Sequence, residues 1–185
     1  MKRNFLSLVC FSGLLLSASV SQAIYIDPYV GLYASGSGDS TALGSTTEFD
    51  LKGKSAFGLR LGWSFAGLAV GVDYQKGSVE QDTAGTKVDN ATTLMGAFVD
   101  YDFPVIPIRV YGAYILNATL DPENSTSNVE GTGMKVGAGF TGLPFVSINL
   151  DYTTLVLDKM SPASAVAFET NSKLMMLSVS VPLNL

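Results

Sequence analysis

The chain has 185 residues, a formal charge of −5, no histidine and a single cysteine at position 10. An acidic chain without a basic cluster is a poor nucleic-acid binder, and the absence of histidine removes the commonest general base and metal ligand at neutral pH. One cysteine supports no disulfide framework, and the length is that of a single domain.

Residues 1–23 read as an export leader. Lys2 and Arg3 supply the positive start, an apolar stretch runs from Phe5 to about Leu16, and Ser21-Gln22-Ala23 forms a small-x-small cleavage site. Ser7, Ser12 and Gly13 interrupt the apolar stretch, which falls short of the ~20 residues a spanning helix needs. Bulky Val9 precedes Cys10 where lipid attachment would want a small residue. The mature chain is therefore expected to be one domain, residues 24–185, with a charge of −7 once Lys2 and Arg3 are lost.

From there the sequence alternates with period two, the mark of strands with two unlike faces. The first strand has Val30, Leu32 and Ala34 opposed to Tyr29, Gly31, Tyr33 and Ser35. In the second, Phe57, Leu59, Leu61, Trp63 and Phe65 oppose Gly58, Arg60, Gly62 and Ser64. Only Ala66-Gly67 precedes the third strand, where Leu68, Val70, Val72 and Tyr74 oppose Gly71, Asp73 and Gln75. The fourth sets Met95, Val99, Tyr101 and Phe103 against Gly96, Phe98, Asp100 and Asp102.

After the turn 104–107, the fifth strand sets Ile108, Val110, Gly112, Tyr114 and Leu116 against Arg109, Tyr111, Ala113 and Ile115; it is the least regular. The sixth has Met134, Val136 and Phe140 opposed to Lys135, Gly137 and Gly139, and the seventh has Val146, Ile148, Leu150 and Tyr152 opposed to Ser147, Asn149 and Asp151. The eighth runs to the C-terminus, with Met175, Leu177, Val179, Val181, Leu183 and Leu185 on the apolar face.

The connections alternate too. Strands 2–3, 4–5 and 6–7 are joined by a few residues, whereas polar segments 36–54, 76–90, 121–132 and 158–171 are expected to be long loops. Short turns at one end and long loops at the other are the pattern of a transmembrane barrel. The fold class predicted is all-β: an eight-stranded antiparallel up-and-down transmembrane β-barrel.

A soluble barrel points its apolar face inward; a membrane barrel inverts this. Here the second face is rich in glycine (Gly58, Gly62, Gly71, Gly96, Gly137, Gly139), which suits a crowded lumen and weakens a water-facing strand. An arginine or lysine facing mid-membrane lipid costs roughly 2–4 kcal/mol. The cheaper register turns Arg60, Arg109 and Lys135 inward with Asp73, Asp100, Asp102 and Asp151 as a lumen charge network. Trp63, Phe65, Tyr74, Tyr101, Phe103, Phe140 and Tyr152 then form an outward aromatic girdle.

Pro28-Tyr29-Val30-Gly31, the segment Val99-Asp100-Tyr101-Asp102-Phe103-Pro104 and the alternating C-terminus together resemble the small outer-membrane β-barrel family that includes the OmpA-type membrane domain and OmpX-like proteins. The resemblance spans the whole mature chain. It implies residence in a bacterial outer membrane, a last strand (Leu177, Val179, Val181, Leu183, Leu185) read by the assembly machinery, and no cofactor. The terminal Leu185 departs from the aromatic residue usual there.

The expected function is a structural or surface-interaction barrel acting through its external loops, as a monomer in outer-membrane lipid. Two alternatives stand: a narrow channel or carrier for ions or small hydrophobic molecules, and a soluble lipocalin-like carrier. An enzyme is not expected, since barrel enzymes of this kind resemble the architecture but generally rely on histidine. Asn-x-Ser/Thr triplets at Asn90, Asn117 and Asn124 are read as chance.

Overall fold

The computed structural model describes residues 23–123, 125, 127–161 and 167–185. The expected leader, apart from Ala23, lies outside the described residues, as do Asn124 and residues 162–166 of the last expected loop.

Eight long strands form: β1 (Ala23–Ala42), β2 (Ser45–Phe65), β3 (Leu68–Thr83), β4 (Thr86–Asp102), β5 (Ile108–Pro122), β6 (Asn128–Leu143), β7 (Val146–Ser161) and β8 (Phe168–Ser180). A two-residue β9 (Leu183–Asn184) follows. Each strand pairs antiparallel with its neighbours in sequence, and β1 pairs with both β2 and β8, so the sheet closes on itself. Closure leaves no open strand edge facing hydrocarbon.

The ring is staggered. Following paired residues from Trp63 through Val70, Val99, Gly112, Val136, Tyr152, Met175 and Ser35 returns to β2 at Lys52, eleven residues from the start. Such a stagger goes with strands inclined roughly 35–45° to the barrel axis. At eight strands the interior is just wide enough for side chains to fill.

The four expected long loops are instead mostly strand. β1 and β2 continue to a two-residue turn at Leu43-Gly44, and β3 and β4 to one at Ala84-Gly85, each with positive φ at both positions. Those angles, like the ones at Ala66-Gly67, belong to the primed hairpin turns whose twist matches the flanking strands. The physical reason is simple. Period two is plain where the outer face meets lipid; above the membrane that face is wet and takes polar residues, and the backbone ladder continues without an apolar outer face. Hydroxyls cross-link the extension instead, as with Thr41–Thr46 at 2.9 Å and Thr170–Ser40 at 3.0 Å.

The first strand also differs from expectation. It starts at Ala23, not near Tyr29, and its alternation changes phase at a bulge between Gly31 and Tyr33. Consequently Tyr33, expected inward, is exposed on the outer surface, and Ala34, expected outward, is buried. At the bottom of the ring, Pro28 and Pro182 interrupt the β1–β8 ladder, since proline donates no hydrogen bond. β9 resumes the pairing against Tyr25 and Ile26.

Elsewhere the faces fall as the alternation requires. Leu61, Trp63, Val70, Val72, Val99, Val110, Val136, Ile148 and Leu150 are exposed on the outside, whereas Arg60, Arg109, Lys135, Asp100 and Asp151 are buried within. An apolar exterior around a charged interior is the arrangement of a barrel whose solvent is lipid.

Candidate functional site

The lumen holds a polar layer near the short turns. Alternation along each strand aims Tyr25, Asp27 and Tyr29 (β1), Arg60 (β2), Asp73 and Gln75 (β3), Asp100 (β4), Arg109 and Tyr111 (β5), Lys135 (β6), Asn149 and Asp151 (β7) and Ser180 (β8) inward, and all are buried.

Asp27 is the hub. It accepts hydrogen bonds from Arg60 Nη1 at 2.8 Å and Arg109 Nη2 at 2.9 Å. Arg109 spends its remaining donors on the Tyr25 hydroxyl (2.9 Å), the Asn149 carbonyl oxygen (3.1 and 2.9 Å) and Ser180 Oγ (2.9 Å), with Asp100 3.6 Å away. Lys135 donates to Asp73 at 2.8 Å, Gln75 at 2.8 Å and the Tyr29 hydroxyl at 3.1 Å. Asp151 accepts from Tyr111 and Ser178 and lies 3.6 Å from Arg60 Nη2.

Arg60 is also sandwiched. Its guanidinium carbon sits 4.6 Å from the centre of the Tyr29 ring and 4.0 Å from that of Tyr111. A desolvated cation against aromatic faces gains from the ring quadrupoles. The two tyrosines fit because glycine stands behind each of them. A Cβ on Gly58 would collide with the Tyr29 ring, and one on Gly137 with the Tyr111 ring. Three cations are thus committed to four carboxylates, and the layer fills the cross-section as a plug. Unpaired charge buried this way would be expensive, which is why the partners are shared.

Of the residues named from sequence for the lumen network, Arg60, Asp73, Asp100, Arg109, Lys135 and Asp151 lie in this layer. Asp102 does not: it is half-buried at the lower rim, outside the ion-pair set. β4 ends at Asp102. Tyr25 and Asp27 lie before the first strand that the alternation predicts, which starts near Tyr29. The available signal was the continued spacing Tyr25, Asp27, Tyr29 across Pro28.

The expected girdle residues all lie on the outer surface. Trp63, Phe65, Tyr101, Phe103 and Phe140 cluster at the end with short turns, and Tyr101 and Phe103 pack edge-to-face with centroids 5.0 Å apart. Tyr74 and Tyr152 sit further along their strands, at mid-ladder positions opposite Leu59 and Val136. Leu177 and Val179 face outward on β8, while Val181, Leu183 and Leu185 follow at or beyond its end.

Beyond the plug, toward the tall hairpins, the lumen changes character. Leu94, Ile115, Ala118 and Leu157 form one buried apolar cluster, and Phe49, Leu51 and Val79 another.

No family model matches the chain, and no curated protein matches it. Solved structures do. The Neisserial surface protein A (NspA) aligns with a TM-score of 0.54 at 19% identity, over 87% of this chain and 98% of that one. The outer membrane protein OprG from Pseudomonas aeruginosa aligns at 0.50 and 14% identity, over 89% and 98%. At these identities the likeness carries the fold: that of a small eight-stranded outer-membrane β-barrel.

Proposed function

We propose that this barrel is an integral protein of a bacterial outer membrane, sealed by its charged plug, whose work is done by the hairpins that stand above the lipid. The plug carries the reading. Arg60, Arg109 and Lys135 close the lumen through ion pairs and hydrogen bonds from every side, so the body of the barrel serves as an anchor and not as a conduit. Interaction then falls to the projecting β1–β2, β3–β4, β5–β6 and β7–β8 hairpins, since rigid scaffolds commonly carry function at their connections. Those hairpins are acidic, with Asp39, Glu48, Asp50 and Asp82 gathered around one mouth. They suit a cationic or neutral polar partner better than an anionic one. With no histidine to pair with a serine, the arrangement offers no activated nucleophile.

The test is conductance in planar bilayers together with labelling of intact cells. Cys10 is the one cysteine of the sequence and lies outside the barrel strands, so Thr47→Cys and Thr86→Cys, in a Cys10→Ser background, report on the hairpins and Val105→Cys on the short-turn end. The reading expects a silent bilayer, with an impermeant thiol reagent reaching the first two positions and not the third. Steady reproducible openings, or labelling at Val105→Cys alone, would overturn it.

A further inference from the structure

Turns that meet water commonly carry Asn, Asp or Ser. The three short turns of this barrel are built otherwise. Segments 65–68, 103–108 and 142–146 read Phe-Ala-Gly-Leu, Phe-Pro-Val-Ile-Pro-Ile and Gly-Leu-Pro-Phe-Val, with no charge, hydroxyl or side-chain amide. Val105 is 91% exposed and Phe145 82%, and Phe65, Leu68, Ile106 and Leu143 are exposed beside them. Exposed apolar patches of this kind mark membrane or protein contacts. Phe145 is the sharpest case. Its φ of +61° is a left-handed backbone that Gly or Asn adopts readily and a bulky side chain does not. An aromatic ring kept there, nearly bare, answers to something outside the chain.

Without these turns the apolar belt is also too short. On β2, β4 and β5 its outward runs are 57–65, 95–103 and 108–116, each eight steps along the chain. At ~3.3 Å per residue and a tilt of about 40°, eight steps rise roughly 20 Å along the membrane normal. An outer-membrane barrel presents a band about 25 Å tall. At the upper end, polar Ser55, Thr93 and Asn117 close the three runs. At the lower end nothing polar intervenes, and the surface continues through Phe103 and Ile108 onto Val105 and Ile106. The missing height is there.

The backbone at this end suits a medium poor in water, where unpaired groups are expensive. The Asp102 N–H donates to the Gly67 carbonyl at 2.7 Å, and the Thr141 N–H to the Pro107 carbonyl at 3.0 Å. The first two turns are thus each tied to the strand beside them. Pro104, Pro107 and Pro144 bring no N–H that would need a partner.

We propose that the short-turn end is immersed in the inner leaflet, with Val105 and Phe145 seated among its acyl chains, so that the barrel turns no aqueous face toward the periplasm. Lipid fits this surface better than a protein does. A protein interface carries a polar rim, whereas this surface runs unbroken into the lipid-facing wall. It also recurs at all three turns around the ring, as a surrounding solvent requires and a partner docked on one side does not. The inference concerns the end opposite the hairpins and stands whether or not those bind a partner.

The experiment uses single-tryptophan variants of the full barrel, refolded in phosphatidylcholine vesicles. Val105→Trp and Phe145→Trp, each combined with Trp63→Phe, are compared with Thr47→Trp in the same background. Lipid brominated on its acyl chains should quench the first two severalfold more strongly than Thr47→Trp. Iodide present on both sides of the bilayer should quench them severalfold less. Iodide reaching them as readily as Thr47→Trp would overturn the proposal. So would shielding that is lost as the protein is diluted into more lipid, because a second copy would then be the cover. In the unmodified chain Trp63 answers to brominated lipid in either event, so failure at the turns leaves the orientation of the wall intact. A Val105→Ser/Phe145→Ser variant measures the height itself. Urea unfolding in didecanoyl and dilauroyl phosphatidylcholine should show its preference moved toward the thinner bilayer. An unchanged preference would overturn the assigned depth, and the tryptophan variants decide the matter even if this variant fails to fold.

Discussion

Asp27 is the residue on which the plug turns, because one carboxylate oxygen answers two buried arginines. Removing one partner of a buried ion pair strands the other, at a cost of about 3–5 kcal/mol. Asp27→Asn is expected to lower the temperature at which the folded, fast-migrating gel form converts to the unfolded one by far more than Asp102→Asn at the rim. Glycine gives a second contrast. Gly58→Ala would force the Tyr29 ring away from Arg60 and Lys135, and such overpacking costs about 1–3 kcal/mol. Gly112→Ala meets only the Lys135 carbonyl oxygen at 3.7 Å and should be neutral or slightly stabilising. Urea unfolding of the two variants in the same vesicles separates them. The inward glycines were legible in the sequence as room in a narrow lumen. What they make room for was not, since the Tyr29 and Tyr111 stack on Arg60 joins residues from β1, β5 and β2 that only the closed ring brings together.

At the scale of elements, the membrane writes its thickness into the chain. Strand spacing, short turns and inward charges of β2 to β8 could be read because lipid-facing positions must be apolar, whereas charges and glycines are confined to the lumen face. Where that constraint lapses, legibility does too. Gly36–Lys54 reads as loop, yet Gly36–Ala42 is paired residue by residue with Ser45–Leu51. The phase of β1 was lost at its bulge, because a single extra residue leaves no trace in a pattern of side chains.

Two predictions belong at this scale. Lys87, hydrogen-bonded to Glu80 at 2.7 Å, holds the Glu80 carboxyl below the usual carboxylate range, and nearby Lys54 adds to this. A depressed folded value means the contribution is present above the ordinary 4.5 and fades as pH falls through the folded value. Acidification below that range should therefore speed amide exchange in the outer β3–β4 hairpin while the ladder within the membrane stays protected. Equal protection of the hairpin at both pH values would contradict the assignment. The chain's end supplies the other. Ile24 and Leu185 exchange main-chain hydrogen bonds at 2.8 and 2.9 Å, and β9 covers the foot of β1. Deleting Leu183–Leu185 exposes that edge and should lower the yield of the fast-migrating form in vesicle refolding.

For the whole molecule, orientation decides everything else. The plug is affordable only if its charges are shielded by protein on all sides, and the exposed apolar belt is stable only if lipid covers it. The chain carries its own reporter in Trp63, its single tryptophan, which lies 67% exposed on the outer face near the short turns. In vesicles made with brominated phospholipid, the fluorescence of Trp63 should be strongly quenched while aqueous iodide leaves it nearly untouched. Ready quenching by iodide with no response to the brominated lipid would show the apolar face turned away from the bilayer, contradicting the account at its root.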